Sequence, residues 1–324
     1  MTDGPGFSPD ELDRRAPFYV AGHRGMVGSA VVRKLQAAGF ENIVGRTSAE
    51  LDLKNRELVF DFLADLKPRY LVLAAAKVGG ILANNTYPAD FLSENLRIQV
   101  NVLDAACQFG VERLLFLGSS CIYPKFAEQP IRENSLLTGP LEPTNDAYAI
   151  AKIAGILQVQ SVRRQYGLPW ISAMPTNLYG PNDNFSPTKS HVLPALIRRY
   201  DGAVNSGSRS VTNWGTGTPR REFLHVDDLA DACLYLLEHY DAREHVNVGS
   251  GTDVTIREIA DTVASAVGFT GETLWDSSKP DGTPQKLLDV SRLAELGWTA
   301  RIRLEEGIER TVAWFRNPAP DLRV

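Results

Sequence analysis

Apolar positions follow two rhythms over the first half of the chain. Short apolar runs occur at Phe18-Tyr-Val-Ala21, Asn42-Ile-Val-Gly45, Tyr70-Leu-Val-Leu-Ala-Ala-Ala76 and Arg113-Leu-Leu-Phe-Leu117. They lack the alternation of a half-exposed strand, so they read as strands buried on both faces of a parallel sheet. Between them apolar residues recur at helical spacing, through Val31, Val32 and Leu35 to a C-capping Gly39, and again from Asn95 to Phe109. A βαβα alternation predicts an α/β fold: a doubly wound parallel sheet with right-handed crossovers and ligands at the carboxyl ends of its strands.

The rhythm then changes. From Asn184 to Arg221 the chain is rich in Ser, Gly, Asn and Thr, with Trp214 in a Gly-flanked hairpin signal. A strand at Glu222-Phe-Leu-His-Val226, a helix from Val226 to Tyr240 and a strand at His245-Val-Asn-Val-Gly249 return to the first layer. Helices follow over Ile256 to Val267 and Leu304 to Phe315. The expected domains are therefore interleaved: a nucleotide-binding domain over 17–182 and a smaller α/β substrate domain opening at 183–221. A return to the first domain covers 222–249, and 250–324 lies mainly in the second. Residues 1–16 carry Pro, Gly, Asp, Arg and Ser without an apolar core and are expected to form a disordered tail.

Composition narrows the function classes. At 324 residues and 44% hydrophobic content the chain can bury a sizeable core. A net charge of −5 argues against a broad nucleic-acid surface or a polybasic membrane anchor. No apolar run approaches the roughly 20 residues of a membrane span. Cys107, Cys121 and Cys233 show no CxxC spacing, which suits a reducing cytoplasm and offers neither a disulfide framework nor a zinc site.

Candidate chemistry gathers at the predicted carboxyl edge. Gly22-His-Arg-Gly25-Met-Val-Gly28 follows the first strand and opens the first helix. In that context glycines let the backbone approach a pyrophosphate, and the helix N-terminus offers unpaired N–H groups. Arg46 ends the second strand where an NAD site carries Asp or Glu, and with Arg24 it suits the 2′-phosphate of NADP. Glu50 and Asp52 follow closely and would restore some NAD affinity were the strand to end later. Ala75-Ala-Lys77-Val-Gly79-Gly80 and Gly118-Ser119-Ser120-Cys121 close the next two strands at the same edge.

Tyr148 and Lys152 stand four apart in a run of helix formers and so share a face. An ammonium beside a phenol favours the phenolate, which predicts a lowered tyrosine pKa and proton exchange with a substrate oxygen near neutral pH. Cys121 follows Ser119 by two positions at a strand end, so the period of two turns both to one side. Cys107 and Cys233, inside helical apolar patterns, read as small buried hydrophobes. Among the histidines, His191 after a polar loop reads as functional, His225 as organising its strand and His23 as lining the glycine turn. His239 and His245 read as surface residues.

With Pro175-Thr-Asn177-Leu-Tyr-Gly180-Pro and Phe223-Leu-His-Val-Asp-Asp228, these segments resemble the extended short-chain dehydrogenase/reductase superfamily from about Tyr19 to Phe315. Four stretches are more specific: Gly22 to Gly28, Ala76-Lys-Val-Gly-Gly80, Ser119-Ser-Cys-Ile-Tyr-Pro124 and Lys279-Pro-Asp-Gly-Thr-Pro284. They are most similar to the branch that inverts C3 and C5 of GDP-4-keto-6-deoxy-D-mannose and then reduces its C4 ketone with NADPH. The resemblance implies an NADP(H)-dependent epimerase and oxidoreductase with a Rossmann-type first domain. It implies that Ser119 and Tyr148 hold the enolate oxygen, that Tyr148 protonates the C4 oxygen, and that Lys152 binds the nicotinamide ribose. Cys121 would be the base of the inversions and His191 the acid.

The same resemblance assigns cofactor contacts to Gly22, Arg24, Gly25, Met26, Val27, Gly28, Arg46, Asp52, Leu53, Ala75, Lys152, Pro175, Asn177, Leu178 and His191. Contacts to the GDP-sugar fall to Lys77, Ser119, Asn177, Arg199, Trp214, Arg221, Lys279 and Asp281. A homodimer with a four-helix interface, built from the Asn95–Phe109 and Tyr148–Lys152 helices and their symmetry mates, is likewise implied. Three alternatives compete. A sugar-nucleotide 4-epimerase or dehydratase that recycles its hydride needs no Cys121–His191 pair. A simple 4-keto reductase would use only Ser119, Tyr148 and Lys152. A non-catalytic NADP-sensing binder would have no need of that set intact.

Overall fold

Parity along the buried strands sorts the core. Residues two apart on a strand face one side. In the computed structural model, which describes residues 12–318 except 188, 189 and 280, successive strand positions go to opposite layers. The chain runs β1 (Phe18–Ala21), α1 (Met26–Ala37), β2 (Ile43–Val44), α2 (Arg56–Leu66), β3 (Tyr70–Leu73), α3 (Ile81–Thr86), α4 (Pro88–Gln108) and β4 (Arg113–Leu117). It continues with α5 (Asp146–Tyr166), β5 (Ile171–Pro175), β6 (Asn177–Tyr179), α6 (Val192–Ser206), β7 (Ser210–Trp214), β8 (Arg220–His225) and α7 (Val226–His239). Last come β9 (Val246–Val248), β10 (Asp253–Thr255), α8 (Ile256–Val267), β11 (Glu272–Asp276), β12 (Gln285–Lys286), α9 (Ser291–Glu295) and α10 (Leu304–Arg316).

Strands β2, β1, β3, β4, β5 and β9 lie in that order in one parallel sheet. Phe18, Val20, Tyr70, Val72 and Leu115 join the apolar layer under α1 and α7. Tyr19, Ala21, Leu71, Leu73, Leu114 and Phe116 join the layer under α2, α4 and α5. Strand order reverses between β1 and β3, so the crevice at their carboxyl ends is the place where such a sheet takes a ligand. A second sheet has β8 between β10 and β12, with β6 also pairing β8. Helices α6, α8 and α10 supply a third core with Tyr179, Tyr200, Phe223, Ile259 and Ile308.

The structure departs from expectation in several places. Residues 12–16 are docked: Leu12 and Ala16 bury in one cluster with Phe18 and Phe40, Asp13 N–H donates to Tyr70 Oη at 2.9 Å, and Arg14 pairs with Glu238 at 2.6 Å. The rest of the expected tail, 1–11, lies outside the described residues. Helix α4 begins at Pro88, ahead of Asn95, because a proline at the first helical position lacks only an N–H that would be unpaired anyway. Trp214 ends no hairpin: β7 pairs in parallel with β11, far downstream. Strand β8 lies in the second sheet, so the return to the central sheet starts with α7. His245 is buried, with Nε2 3.0 Å from Tyr123 Oη.

Candidate active site

Strand β4 delivers the first two catalytic candidates. Gly118 N–H donates to Ala173 O on β5, so the chain leaves the sheet edge at Ser119. Ser119 is extended (φ −161°), and Ser120–Ile122 forms a single 3₁₀ turn whose Cys121 N–H donates to Ser119 Oγ at 3.4 Å. Cys121 therefore does not continue a strand. The serine that caps its turn, rather than the period of two, brings it beside Ser119. Burial pushes the thiol pKa up, while Lys286, the Ser119 hydroxyl and Lys152 pull it down.

Helix α5 delivers Tyr148 and Lys152. A Cβ on Gly155 would stand 2.3 Å from the Phe116 ring, so this glycine lets α5 lie close against β4. Lys152 Nζ then reaches Leu117 O, to which it donates at 2.8 Å. The ammonium is 5.9 Å from the Tyr148 ring centroid, and burial lowers its pKa to about 8. Tyr148 meets Phe91 of α4 edge to face, with ring centroids 6.3 Å apart. Burial, helped by Cys121, pushes its phenol pKa up. The expected lowering by Lys152 is thus reversed: the lysine is turned to a main-chain carbonyl, and desolvation governs the phenol. A neutral phenol can donate to an oxyanion and protonate an alkoxide.

The glycine turn fits a dinucleotide. Gly22 has φ +87°, and a Cβ there would stand 2.8 Å from Ala75 N; one on Gly28 would stand 2.1 Å from Gly22 O. Gly25 is the N-cap of α1, and no side chain caps the helix. The N–H groups around Met26 and Val27 are therefore available to a phosphate. His23 lies over Gly45 at the end of β2, as a lining residue of the turn should. Arg24 and Arg46 are exposed and both act on His23 and Glu50, so the two guanidiniums share one neighbourhood. The nearby carboxylates are occupied: Glu50 accepts from Thr47 N–H and Oγ1 at 2.7 and 2.8 Å, and Asp52 from Lys54 N–H at 3.0 Å. Leu53 O accepts from Asn101, and Asn177 Nδ2 donates to Glu222 O at 2.8 Å. Pro175 is buried and Leu178 half-buried beside it.

The substrate candidates converge from separate segments. Arg199 on α6 donates to Asn213 Oδ1 at 2.5 Å, next to Trp214, which is 71% exposed. Lys279 Nζ is 5.9 Å from the Trp214 ring centroid, and Asp281 accepts from Thr216 N–H and Oγ1 at 3.0 and 2.7 Å. Arg221 reaches Gly282, and burial lowers its pKa. Lys77 is drawn instead to α4, pairing with Glu94 at 2.6 Å and Asp90 at 3.3 Å. His191 is the N-cap residue of α6 but makes no side-chain capping bond. Its surface is open to solvent even though surrounding protein lowers its pKa, and the open surface places the ring at a rim. Among the described residues no hydrogen bond or ion pair joins it to Cys121 or Tyr148.

Residues 18–249 match the NAD dependent epimerase/dehydratase family. The chain belongs to this family. GDP-L-fucose synthase 1 of Arabidopsis thaliana is 61% identical over 303 residues, covering 94% of this chain and 94% of that protein. GDP-L-fucose synthase of Escherichia coli (strain K12) is 54% identical over 306 residues, covering 92% and 95%. Among solved structures, a GDP-L-fucose synthetase from Naegleria fowleri bound to NADP aligns with a TM-score of 0.90 at 29% identity, covering 98% of this chain and 97% of that one.

This member of the epimerase/dehydratase family also brings to its site residues that the sequence did not single out. Glu222 is fully buried and accepts from Gly251 N–H at 2.8 Å and Leu288 N–H at 3.0 Å, so one carboxylate fixes two segments beside Arg221. A carboxylate next to the apolar pair Phe223-Leu224 of β8 was the available signal. Tyr123, two residues beyond Cys121, donates to Asn247 Oδ1 at 2.5 Å; Asn247 in turn donates to Ile131 O and Asp289 O. Burial lowers the pKa of His245 in this network to about 4, so it stays neutral. Lys286, the group that most favours a Cys121 thiolate, carried no pattern at all.

Proposed function

We propose that this protein converts GDP-4-keto-6-deoxy-D-mannose to GDP-L-fucose, inverting C3 and C5 and then reducing C4 with NADPH. The observation that carries this reading is the cluster of Ser119, Cys121, Tyr148 and Lys152, in which a buried thiol hydrogen-bonded to the Ser119 hydroxyl lies within electrostatic reach of a neutral phenol. Both C–H bonds to be broken flank the C4 ketone, so one oxyanion site serves both inversions. Cys121, as the thiolate, takes the proton, and His191 delivers one to the opposite face. Ser119 and Tyr148 hold the enolate oxygen. Bound NADPH supplies the hydride to C4. Tyr148 gives its proton to the C4 oxygen, and Lys152 stabilises the resulting phenolate while holding the nicotinamide ribose.

The glycine turn takes the pyrophosphate, and Arg24 and Arg46 take the 2′-phosphate. Trp214, Lys279 and Asp281 receive the base, and Arg199 and Arg221 the diphosphate. In this reading the protein is a homodimer: α4 and α5 pack side by side and leave Val100, Ile150 and Leu157 exposed, an apolar face suited to an isologous contact. It works in the cytoplasm, where its three unpaired cysteines stay reduced. No helix among the described residues is long and apolar enough to cross a membrane.

The test is NADPH oxidation with GDP-4-keto-6-deoxy-D-mannose in deuterated water. The expected product carries deuterium at C3 and C5 and has the L-fuco configuration. Reduction without exchange would leave a simple 4-keto reductase, and no oxidation at all would refute the reading.

A further inference from the structure

In the proposed reaction the Tyr148 hydroxyl serves one oxygen twice, first as the enolate and then as the C4 alkoxide. Among the described residues no hydrogen bond holds that hydroxyl, so its aim depends on how the ring is packed. Lys152 lies on the same helix, and its ammonium is committed to Leu117 O. The ring contact from another element is Phe91 of α4, only 3% exposed, which meets Tyr148 at 86° with centroids 6.3 Å apart. Phe91 is fixed in turn. It opens a buried row on α4, Phe91, Asn95 and Gln99, spaced four apart and so on one side of the helix. Asn95 Nδ2 donates to Phe91 O at 2.7 Å and to Lys77 O at 3.0 Å, while Asn95 Oδ1 accepts from Lys77 N–H at 2.8 Å. Gln99 Nε2 donates to Ala151 O at 2.7 Å, which registers α4 against α5 one residue before Lys152. Both amides are paired, so their burial ties α4 to the segments around Tyr148 at little cost. Asn84 Nδ2 donates to Gly79 O at 2.7 Å and Gly80 O at 3.1 Å, and a Cβ on Gly79 would stand 3.1 Å from Phe91 Cζ. The main chain of this loop therefore closes on the Phe91 ring and leaves it little room to shift.

We propose that Phe91 is a positioning residue for Tyr148: its ring, held by the Asn95 and Gly79 contacts, fixes the phenol and so aims the hydroxyl at the C4 oxygen. The proposal rests on the reading of Tyr148 as the proton donor. In the step it serves, hydride reaches C4, the Tyr148 O–H bond breaks and the proton goes to the C4 oxygen. The phenolate charge stays on Tyr148 beside Lys152. Phe91 acts only through the ring it holds. Aim matters here because a hydrogen bond weakens steeply as it bends, and a misplacement of about 1 Å can cost about 10²-fold in rate.

The experiment is a double-mutant cycle on the full chain, read as single-turnover NADPH oxidation at saturating GDP-4-keto-6-deoxy-D-mannose. Phe91→Ala should slow oxidation about tenfold, with the half-saturating sugar concentration and NADPH affinity held. In a Tyr148→Phe background the same change should cost less than about twofold, because no hydroxyl is left to aim. Phe91→Leu keeps most of the apolar volume without a ring and should show the same pattern at about threefold. It takes the place of Phe91→Ala in the cycle should the latter fail to give a cooperative thermal melt. Equal slowing in both backgrounds would make Phe91 a packing residue and overturn the proposal. An unmoved rate, or a loss confined to sugar or NADPH affinity, would overturn it too. Failure of the proton-donor reading shows separately, as near-normal oxidation in Tyr148→Phe alone. A crippled Tyr148→Phe with equal slowing on Phe91→Ala strikes the proposal and leaves that reading standing.

Discussion

On the cofactor side of the cleft, one uninterrupted stretch, Gly22 to Gly28, supplies the turn, the open helix N-terminus and one of two arginines. On the substrate side, Arg199, Trp214, Arg221, Lys279 and Asp281 arrive from segments that share no local pattern, held by β7–β11, the two-residue β12 and the buried Glu222 carboxylate. The first half works through main-chain geometry that a short sequence can dictate. The second works through tertiary convergence, so a group far from the ligand can control it. Between them lies the Cys121–Tyr148–Lys152 cluster, where burial sets each protonation state.

The largest expected effect lies in that cluster. Tyr148→Phe removes the proposed proton donor to the C4 oxygen, and turnover should fall about 10²-fold or more with NADPH binding and fold kept. Near-normal turnover would remove Tyr148 from the chemistry. On the cofactor side, Arg46→Asp places a carboxylate where the proposed function has Arg46 and Arg24 meet the 2′-phosphate. The ratio of NADPH to NADH affinity should drop about tenfold or more, measured by fluorescence titration, with KM for the sugar little changed. A shift in sugar KM of equal size would dissolve the division between the halves.

Glu222→Gln tests the other half. The amide must turn an N–H toward Gly251 N–H or Leu288 N–H, leaving a buried donor unpaired and loosening the backbone beyond β12. KM for the GDP-sugar should rise about several-fold and NADPH affinity should hold. The smallest effect is one of pH. Lys152, whose pKa burial lowers to about 8, is charged below that value and neutral above it. NADPH affinity should therefore be steady toward neutral pH and fall by about half near pH 8, and Lys152→Arg should lack this limb because a guanidinium stays charged.

The same division explains what the sequence disclosed. Phe18–Ala21 and Arg113–Leu117 were legible because an apolar run between turn residues leaves few choices, and Ile256–Val267 because its apolar residues recur at helical spacing. Strand β12 was hidden because Gln285 and Lys286 are polar and pair for only two residues. The partner of β7 is β11, so Trp214 gave a local turn signal for a non-local pairing. His245 sits beside Glu244 and Arg243 and read as surface, yet Tyr123 and Asn247 bury it. The spacing of Tyr148 and Lys152 correctly put them on one helix, but their ionisation depends on Leu117 O and on burial, neither of which is written in the spacing.

The central claim is that Cys121 exchanges carbon-bound protons beside an oxyanion site that also serves reduction. Its most direct test is deuterium content at C3 and C5 of the GDP-sugar after incubation in deuterated water, comparing the natural chain with Cys121→Ser. The natural chain should label both carbons. Cys121→Ser keeps the side-chain shape but offers a far weaker base, so labelling should slow about tenfold or more while NADPH still binds. Labelling of both carbons at the natural rate in Cys121→Ser would contradict the account and leave the thiol a packing residue.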